Sequence, residues 1–272
     1  MTQTACPDDR LHQALATLAP DLAGRPWSPL RGGRTNRLWQ VGDLVLKRHD
    51  SAAASPLFPN SAADEARALA LFGPLALAPV LCAAGADWVI YRHVRGAVWP
   101  AAPLSDPAPV ARMLGRLHAL PVAGMAFRPL PDGSAGLLAQ ARAMAEGLDL
   151  PAPPPDPHLP PAAPCVVHGD AVAGNVLVTP EGPMLIDWQC PALGDPAEDL
   201  AMFLSPAMMW LYSGRIHTPA DRAAFLAAYP HRATVERFLT LEPLFRWRMA
   251  AHCAWRARRG DADYARARRL EL

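Results

Sequence analysis

The sequence predicts an α+β chain of two lobes, and three observations carry that prediction. Short alternating apolar runs separated by turn residues fill the first ninety-odd positions. From residue 107 onward the apolar positions fall mainly at helical spacing. A chain of 272 residues, 51% hydrophobic and 19% charged, is long enough to bury a core in each part. The expected division is a small antiparallel-sheet lobe with one helix over residues 1–94, and a larger, mainly helical lobe over 95–272.

Leu11, Leu15 and Leu18 open the chain at helical spacing, within a helix-rich lead-in over residues 1–24. Residues 38–41 and 44–48 read as a hairpin joined by Gly42-Asp43. Ser61 followed by Asp64 has the capping-box form, so a helix starts there with Glu65 in its first turn and ends at Gly73-Pro74. Residues 80–82 and 88–94 are two further strands. Positions 68–86 carry no charge, but Gly73-Pro74, Pro79 and Gly85 divide them into a helix end, a turn and a strand, each too short to span a membrane. In the second lobe Val110, Met113, Leu114 and Leu117 mark a helix that Pro121 ends, and a second helix covers 134–148. Eight prolines in residues 151–164 make an extended connector or surface loop within this lobe.

Charge and cysteine usage exclude several classes. Basic residues number 26 and acidic ones 25, so no excess exists to neutralise a nucleic-acid backbone. Cys6, Cys82, Cys165, Cys190 and Cys253 form no C-x-x-C pair and read as free thiols of a reducing compartment. Asp8, Asp9 and Arg10 stand where a signal peptide would place its apolar stretch, so the expected location is cytoplasmic. Lys47 is the only lysine among the 26 basic residues. Lysine offers a compact point charge where arginine offers a planar fork, and one recurrent use of that charge is to hold nucleotide phosphates.

The chemistry concentrates at residues 165–188. Apolar runs on either side of Pro180-Glu181-Gly182 predict a second hairpin. A turn centred on Glu181 would set Asn175 and Asp187 opposite each other, with Asp170 on the preceding loop. Two hard oxygen ligands beside open positions suit Mg²⁺, which keeps waters and takes its remaining ligands from substrate phosphates. None of the nine histidines forms an H-x-x-x-H pair, so His168 is expected to brace its loop and not to bind metal.

In this order HGDAVAGN (168–175), LIDW (185–188) and GDPAEDLA (194–201) resemble the aminoglycoside phosphotransferase and choline kinase superfamily, small-molecule relatives of the protein kinases. Upstream, GGRTNRLWQV (32–41) resembles their nucleotide loop, VLK (45–47) their lysine strand and Glu65 its partner on the next helix, so the resemblance spans roughly residues 28–204. It implies a bilobal protein-kinase-like fold whose first lobe binds nucleotide. It further implies ATP and Mg²⁺ as cofactors, and transfer of the γ-phosphate to a hydroxyl of a small molecule. Asp170 would accept the hydroxyl proton or orient that hydroxyl, and Asn175 and Asp187 would hold Mg²⁺. Lys47, oriented by Glu65, would hold the α- and β-phosphates. Amides around Gly32 and Gly33, with Thr35 and Asn36, would cover the phosphate chain, and the backbone from Tyr91 through His93 to Val94 would meet adenine.

Gly169 stands where protein kinases carry an arginine, and seven residues between Asp187 and Asp195 leave no room for a peptide platform, so the acceptor is expected to be small. Asp195, Pro196 and Glu198 have the form of an N-cap, a first-turn proline and a capping-box acid. By its family counterpart, Asp199 ties that helix to the catalytic loop. Trp210, Tyr212, Trp247 and Trp255 are either core or an aromatic cage for a quaternary ammonium. The Gly32–Asn36 string and this tail lean toward choline, ethanolamine or a thiamine-like alcohol, with an aminoglycoside as the other class. Arg256, Arg258 and Arg259 read as a solvated helix face, or less readily as an attraction for an anionic acceptor. The competing readings are a regulatory nucleotide-binding pseudokinase, against which the intact Lys47, Asp170, Asn175 and Asp187 argue, and a metal-dependent hydrolase, which has no use for Lys47 and Glu65. No nucleic-acid or membrane partner is expected, and the oligomeric state stays open.

Overall fold

A computed structural model describes residues 9–30, 35–99 and 106–272. They form two compact units, one of residues up to Ser55 plus Pro59–Arg95, the other of Pro56–Phe58 plus Gly96–Leu272.

The first unit runs α1 (Asp9–Leu18), β1 (Ser28–Pro29), β2 (Arg37–Val41), β3 (Leu44–Arg48), α2 (Ala62–Phe72), β4 (Leu81–Ala84) and β5 (Trp88–Arg92). Its strands make one antiparallel sheet in the order β1-β2-β3-β5-β4. Val41 pairs with Leu44, leaving Gly42-Asp43 as a two-residue loop. Gly42 has φ +61°, the left-handed conformation such hairpins require and glycine adopts without cost from a Cβ. Side chains alternate across the sheet. Trp39, Val41, Leu44, Leu46 and Ile90 therefore meet Leu11 and Leu15 of α1 in one core. Lys47 belongs to the opposite parity, with Val45, and its cross-strand partner is Val89.

Helix α2 starts as expected, with Ser61 Oγ accepting from the Asp64 N–H at 3.1 Å. It ends at Phe72 in a tight turn over Gly73–Leu75 that leads to β4. The uncharged stretch 68–86 is thus a helix end, a turn and a strand. Among the described residues no helix is long and apolar enough to cross a membrane.

The second unit contains β6 (Ala97–Val98), α3 (Ala108–His118), β7 (Arg128–Pro129), α4 (Gly133–Ala145), β8 (Cys165–Val167), β9 (Val176–Thr179), β10 (Gly182–Leu185) and β11 (Ala192–Gly194). Helices α5 (Ala197–Leu204), α6 (Pro206–Ser213), α7 (Pro219–Ala228), α8 (Arg232–Ala257) and α9 (Ala262–Glu271) follow. Two small sheets, β10-β9-β6 and β7-β11-β8, frame the loops that carry the conspicuous motifs. Helix α8 packs against α4, α5 and α9. At its centre the buried Arg248 donates to Gln140 Oε1 of α4 at 2.9 Å and pairs with Glu198 of α5.

The proline-rich connector has no regular secondary structure. It is nonetheless fastened: Trp247 Nε1 donates to Pro151 O at 2.9 Å, Leu159 N to Ser134 Oγ at 2.9 Å, and Arg237 Nη2 to Pro160 O at 2.8 Å.

Candidate active site

In the first unit Glu65, Ala68, Leu69 and Phe72 fall at i, i+3, i+4 and i+7 on α2, and all four are buried. A carboxylate on such a stripe needs partners, because burying an unpaired charge costs several kcal/mol. Lys47 Nζ lies 2.5 Å from Glu65 Oε2, and His49 Nε2 lies 2.7 Å from the same oxygen. Burial pushes the Glu65 carboxyl up, but the Lys47 charge and the His49 hydrogen bond outweigh it and hold the group down at about 2. The expected Lys47–Glu65 pair is therefore present, and His49 joins it. Sequence reasoning missed His49, although its place two residues after Lys47, where the extended chain continues the line of β3, puts it on the same face.

The other expected nucleotide residues fare unevenly. Gly32 and Gly33 lie outside the described residues. Thr35 and Asn36 border an open polar cleft of ≈ 630 Å³ together with Arg48 and His49. The Asn36 side chain is committed within its own unit: it exchanges hydrogen bonds with Asn60 at 3.0 and 2.8 Å and accepts from the Asp50 N–H at 3.1 Å. Tyr91 is a buried β5 residue paired with Val45 and Leu81. The His93 N–H donates to Asp43 O at 2.8 Å and the Arg92 N–H to Val80 O at 2.9 Å. Those two donors are taken up within the first unit, and the carbonyls of the Tyr91–Val94 segment are the backbone groups left for the expected adenine contact.

In the second unit the loop between β8 and β9 is anchored through its backbone. Asp199, fully buried on α5, accepts from the His168 N–H at 2.8 Å and the Gly169 N–H at 3.0 Å. His118 donates from Nε2 to the same carboxylate at 3.1 Å and meets the Tyr229 hydroxyl at Nδ1, 2.8 Å away. Burial pushes the Asp199 carboxyl up, but the His118 hydrogen bond and charge prevail and hold it below its usual range. Gly169 has φ +77°, and a Cβ there would lie 2.4 Å from Cys190 O. His168 takes the Asp170 N–H on Nδ1 at 3.2 Å, donates from Nε2 to Ile186 O at 3.1 Å and packs against Trp188. It braces the loop, as its lack of a second histidine implied.

Asn175 Nδ2 donates both to Asp170 O at 2.9 Å and to Asp170 Oδ2 at 3.0 Å. This orients the Asp170 carboxylate and leaves Oδ1 as the amide's acceptor atom. The hairpin register differs by half a residue from the expected one: Thr179 pairs with Gly182 and Val176 with Leu185. The turn centres between Pro180 and Glu181, so Asn175 faces Ile186, whose N–H donates to Asn175 O at 2.9 Å. Asp187 is one residue further on, at φ +63°, where the chain leaves the ladder. Among the described residues no group of three or more His, Cys, Asp or Glu side chains forms a metal cage. A donor set limited to the Asn175 and Asp187 oxygens fits a cation that completes its shell with water and phosphate, as Mg²⁺ does.

The flanking motifs are structural. Asp195 Oδ1 accepts from the Ala197 N–H at 2.9 Å and Oδ2 from Arg237 Nε at 2.5 Å. Glu198 does not close a capping box; its carboxylate goes to Arg248, since a buried arginine outcompetes a helix-end amide for it. Trp247 is buried against Pro151, Trp255 stacks on His252 beneath the Arg259 guanidinium, and Trp210 lies beneath Arg266. Trp247 alone of the three is buried, as a core residue would be; Trp210 and Trp255 are half-buried. Tyr212 differs, because a Cβ on Gly174 of the catalytic loop would lie 2.1 Å from its ring. Arg256 pairs with Asp261 at 2.7 Å, and Arg258 donates to Gly147 O at 3.1 Å. Cys82, Cys165, Cys190 and Cys253 are free thiols, and Cys6 lies outside the described residues.

A small antiparallel sheet carrying a buried Lys–Glu pair, followed by a helical unit with an anchored H-G-D loop, defines a protein-kinase-like fold of the small-molecule kind. The model of the phosphotransferase enzyme family, APH, matches residues 26–238, and the chain belongs to that family. No curated protein matches the chain. Among solved structures it is similar to a choline/ethanolamine kinase family protein from Mesorhizobium loti, at 21% identity and TM-score 0.59 over 96% of this chain and 94% of that one. It is also similar to APH(2")-IIia in its GDP and kanamycin complex, at 17% identity and TM-score 0.66 over 97% of each chain. A macrolide 2'-phosphotransferase from Brachybacterium faecium matches at 18% identity and TM-score 0.60 over 96% of each chain. At these identities the likeness is one of fold.

Proposed function

We propose that the protein is an ATP- and Mg²⁺-dependent kinase that moves the γ-phosphate to a hydroxyl of a small molecule. The observation that carries this reading is the Asp170–Asn175 couple on a loop anchored by Asp199. Phosphoryl transfer asks the protein for little covalent chemistry and much positioning. Asp170, oriented by the Asn175 amide, would accept the acceptor's hydroxyl proton or point that hydroxyl at the γ-phosphate. Asn175 Oδ1 and the Asp187 carboxylate would hold Mg²⁺, which when bound neutralises charge on the phosphate oxygens. Lys47, paired with Glu65, would hold the α- and β-phosphates.

For the acceptor we favour a choline-, ethanolamine- or thiamine-like alcohol over an aminoglycoside, on the Gly32–Asn36 string and the tail. Tyr212, whose ring lies against Gly174 of the Asp170 loop, is the aromatic side chain that best supports this choice. The test is ADP release from Mg-ATP across choline, ethanolamine, thiamine, aminoglycosides, homoserine and amino sugars, with Asp170→Asn as the blank. A stimulated signal that disappears in the blank is the expected result. ATP that raises the melting temperature without stimulated release would favour the pseudokinase, and wild-type turnover by Asp170→Asn would overturn the role given to that residue.

A further inference from the structure

We propose that His49 is a positioning residue that fixes Glu65, and through it Lys47, in the geometry nucleotide binding requires. The inference rests on the kinase reading for what Lys47 does, but not for how Lys47 is held.

The argument starts from a shared atom. Lys47 Nζ and His49 Nε2 both reach Glu65 Oε2, at 2.5 and 2.7 Å, and all three side chains are at least nine-tenths buried. Within the described residues the second oxygen, Glu65 Oε1, has no hydrogen-bond partner, and neither does His49 Nδ1. A carboxylate gripped through one oxygen by one lysine is poorly fixed. The ammonium presents three rotatable donors on a four-carbon stem, and the carboxylate can turn about its own axis to follow it. An imidazole is different: it is a rigid ring with two torsions. Its main chain is itself anchored, since the His49 N–H donates to Asp87 O at 2.8 Å and continues the line of β3.

The hydrogen-bond pattern assigns the proton to Nε2, because the partner is an anionic oxygen that can only accept. His49 therefore supplies a second, stiff donor to Oε2 from just beyond the end of the strand that carries Lys47. Burial would otherwise favour a neutral glutamic acid, and that donor helps keep the anion. Packing alone does not account for this arrangement. An apolar residue at 49 would fill the space without orphaning a ring nitrogen, whose burial unpaired is costly.

Two amides separate the alternatives. His49→Gln places an N–H donor at about the reach of imidazole Nε2, whereas His49→Asn ends one bond short, near Nδ1. Lys47 is the only lysine, so its ε-amine can be followed alone by acylation and peptide mapping. The expected result for His49→Asn is a rise of about tenfold in both the Lys47 acylation rate and the KM for ATP, the loss of one hydrogen bond to a charged group, with kcat little changed. His49→Gln should return both to within about twofold of wild type at equal reach. In a Glu65→Gln background the His49 effect on Lys47 should vanish.

Equal behaviour of the two amides, or an unmoved Lys47 in the Asn variant, overturns the proposal whatever the nucleotide results. If the acylation pattern appears as expected but the wild type binds neither ATP nor ADP, His49 still positions Lys47 and the kinase reading is what fails. Should His49→Asn not fold, His49→Gln decides alone: wild-type Lys47 reactivity supports the proposal, and a tenfold rise despite the retained donor sinks it.

Discussion

Lys47 in the first unit pairs with a carboxylate oxygen that it shares with His49. Asp170 in the second unit sits on a loop hung from both oxygens of Asp199 through main-chain amides. One arrangement is made of charges on side chains and can be exchanged as a set. The other is made of backbone N–H groups, which every side-chain substitution but proline leaves in place. The difference teaches that equally buried acids, Glu65 and Asp199, should respond to mutation in different ways.

The largest effect is expected at Asp199. Asparagine can accept one of the two amide bonds, but its NH₂ group then faces a buried N–H. Leaving such donors unpaired costs about 2–4 kcal/mol, and the Asp170 loop should lose its geometry with them. Denaturant unfolding and turnover of Asp199→Asn should both fall, turnover by at least about a hundredfold, since misplacing a catalytic group by one ångström can cost that much. Retained stability with lost turnover would mean that the loop is held elsewhere.

At Lys47 the arithmetic differs. Lys47→Met leaves the buried Glu65 with His49 as its remaining charge-stabilising partner and should cost about 3 kcal/mol. The triple variant Lys47→Met, His49→Leu and Glu65→Leu should regain most of that stability, because replacing a buried charged cluster as a set is often neutral. Neither variant should bind nucleotide as the wild type does. A triple variant no more stable than the single one would show that Glu65 holds α2 by more than its charge partners.

Acid should reach the second unit before the first. His252 is buried among Phe58, Trp255 and Tyr264, and burial, reinforced by the Arg256 and Arg248 charges, pushes its imidazole down to about 3. Between 6.5, its ordinary value, and about 3 the unfolded chain binds a proton that the folded chain refuses. Stability from this site is therefore full above pH 6.5 and is lost as the pH falls toward 3. Glu65, held at about 2, contributes stability that is fully present above its ordinary 4.5 and is lost as the pH falls from there toward 2. His252→Leu should flatten the melting temperature against pH between 6.5 and about 3, leaving below 4.5 the fall that Glu65 contributes, with about 2–4 °C recovered per kcal/mol. An unchanged slope would assign that acid sensitivity to another group.

These contrasts were only partly legible in the sequence. Period-two and period-3.6 patterns marked β2, β3, α2 and α3, because each element buries one face of a core large enough to leave a stripe. β6, β7, β8 and β11 span two or three residues, less than two side-chain periods, so no pattern could announce them. Asp170, Asn175 and Asp187 stood out because their chemistry sits in an ordered string. His49 and His118 did not, since each matters through a partner 16 or 81 residues away, and that distance is closed by the fold alone. The half-residue error in the second hairpin arose from placing the turn on Glu181, when a two-residue loop has its centre between residues. Glu198 was misread for a related reason: a local capping pattern competes with any buried arginine that tertiary packing brings near.

The smallest expected effect concerns Trp247 and tests whether the connector is as well fastened as the loop above it. Trp247→Phe keeps most of the ring in the core but removes the Nε1–H donated to Pro151 O. The carbonyl retains water as a partner near the surface, so the loss should be about 1 kcal/mol, the net worth of one neutral hydrogen bond. Proteolysis within residues 151–164 should quicken slightly, and the KM for any acceptor should not move. A change confined to the KM of a quaternary ammonium, with stability intact, would reverse the assignment of Trp247 to packing. In that event the aromatic side chain would belong to acceptor recognition, and the fastening of the connector would rest on Ser134 and Arg237.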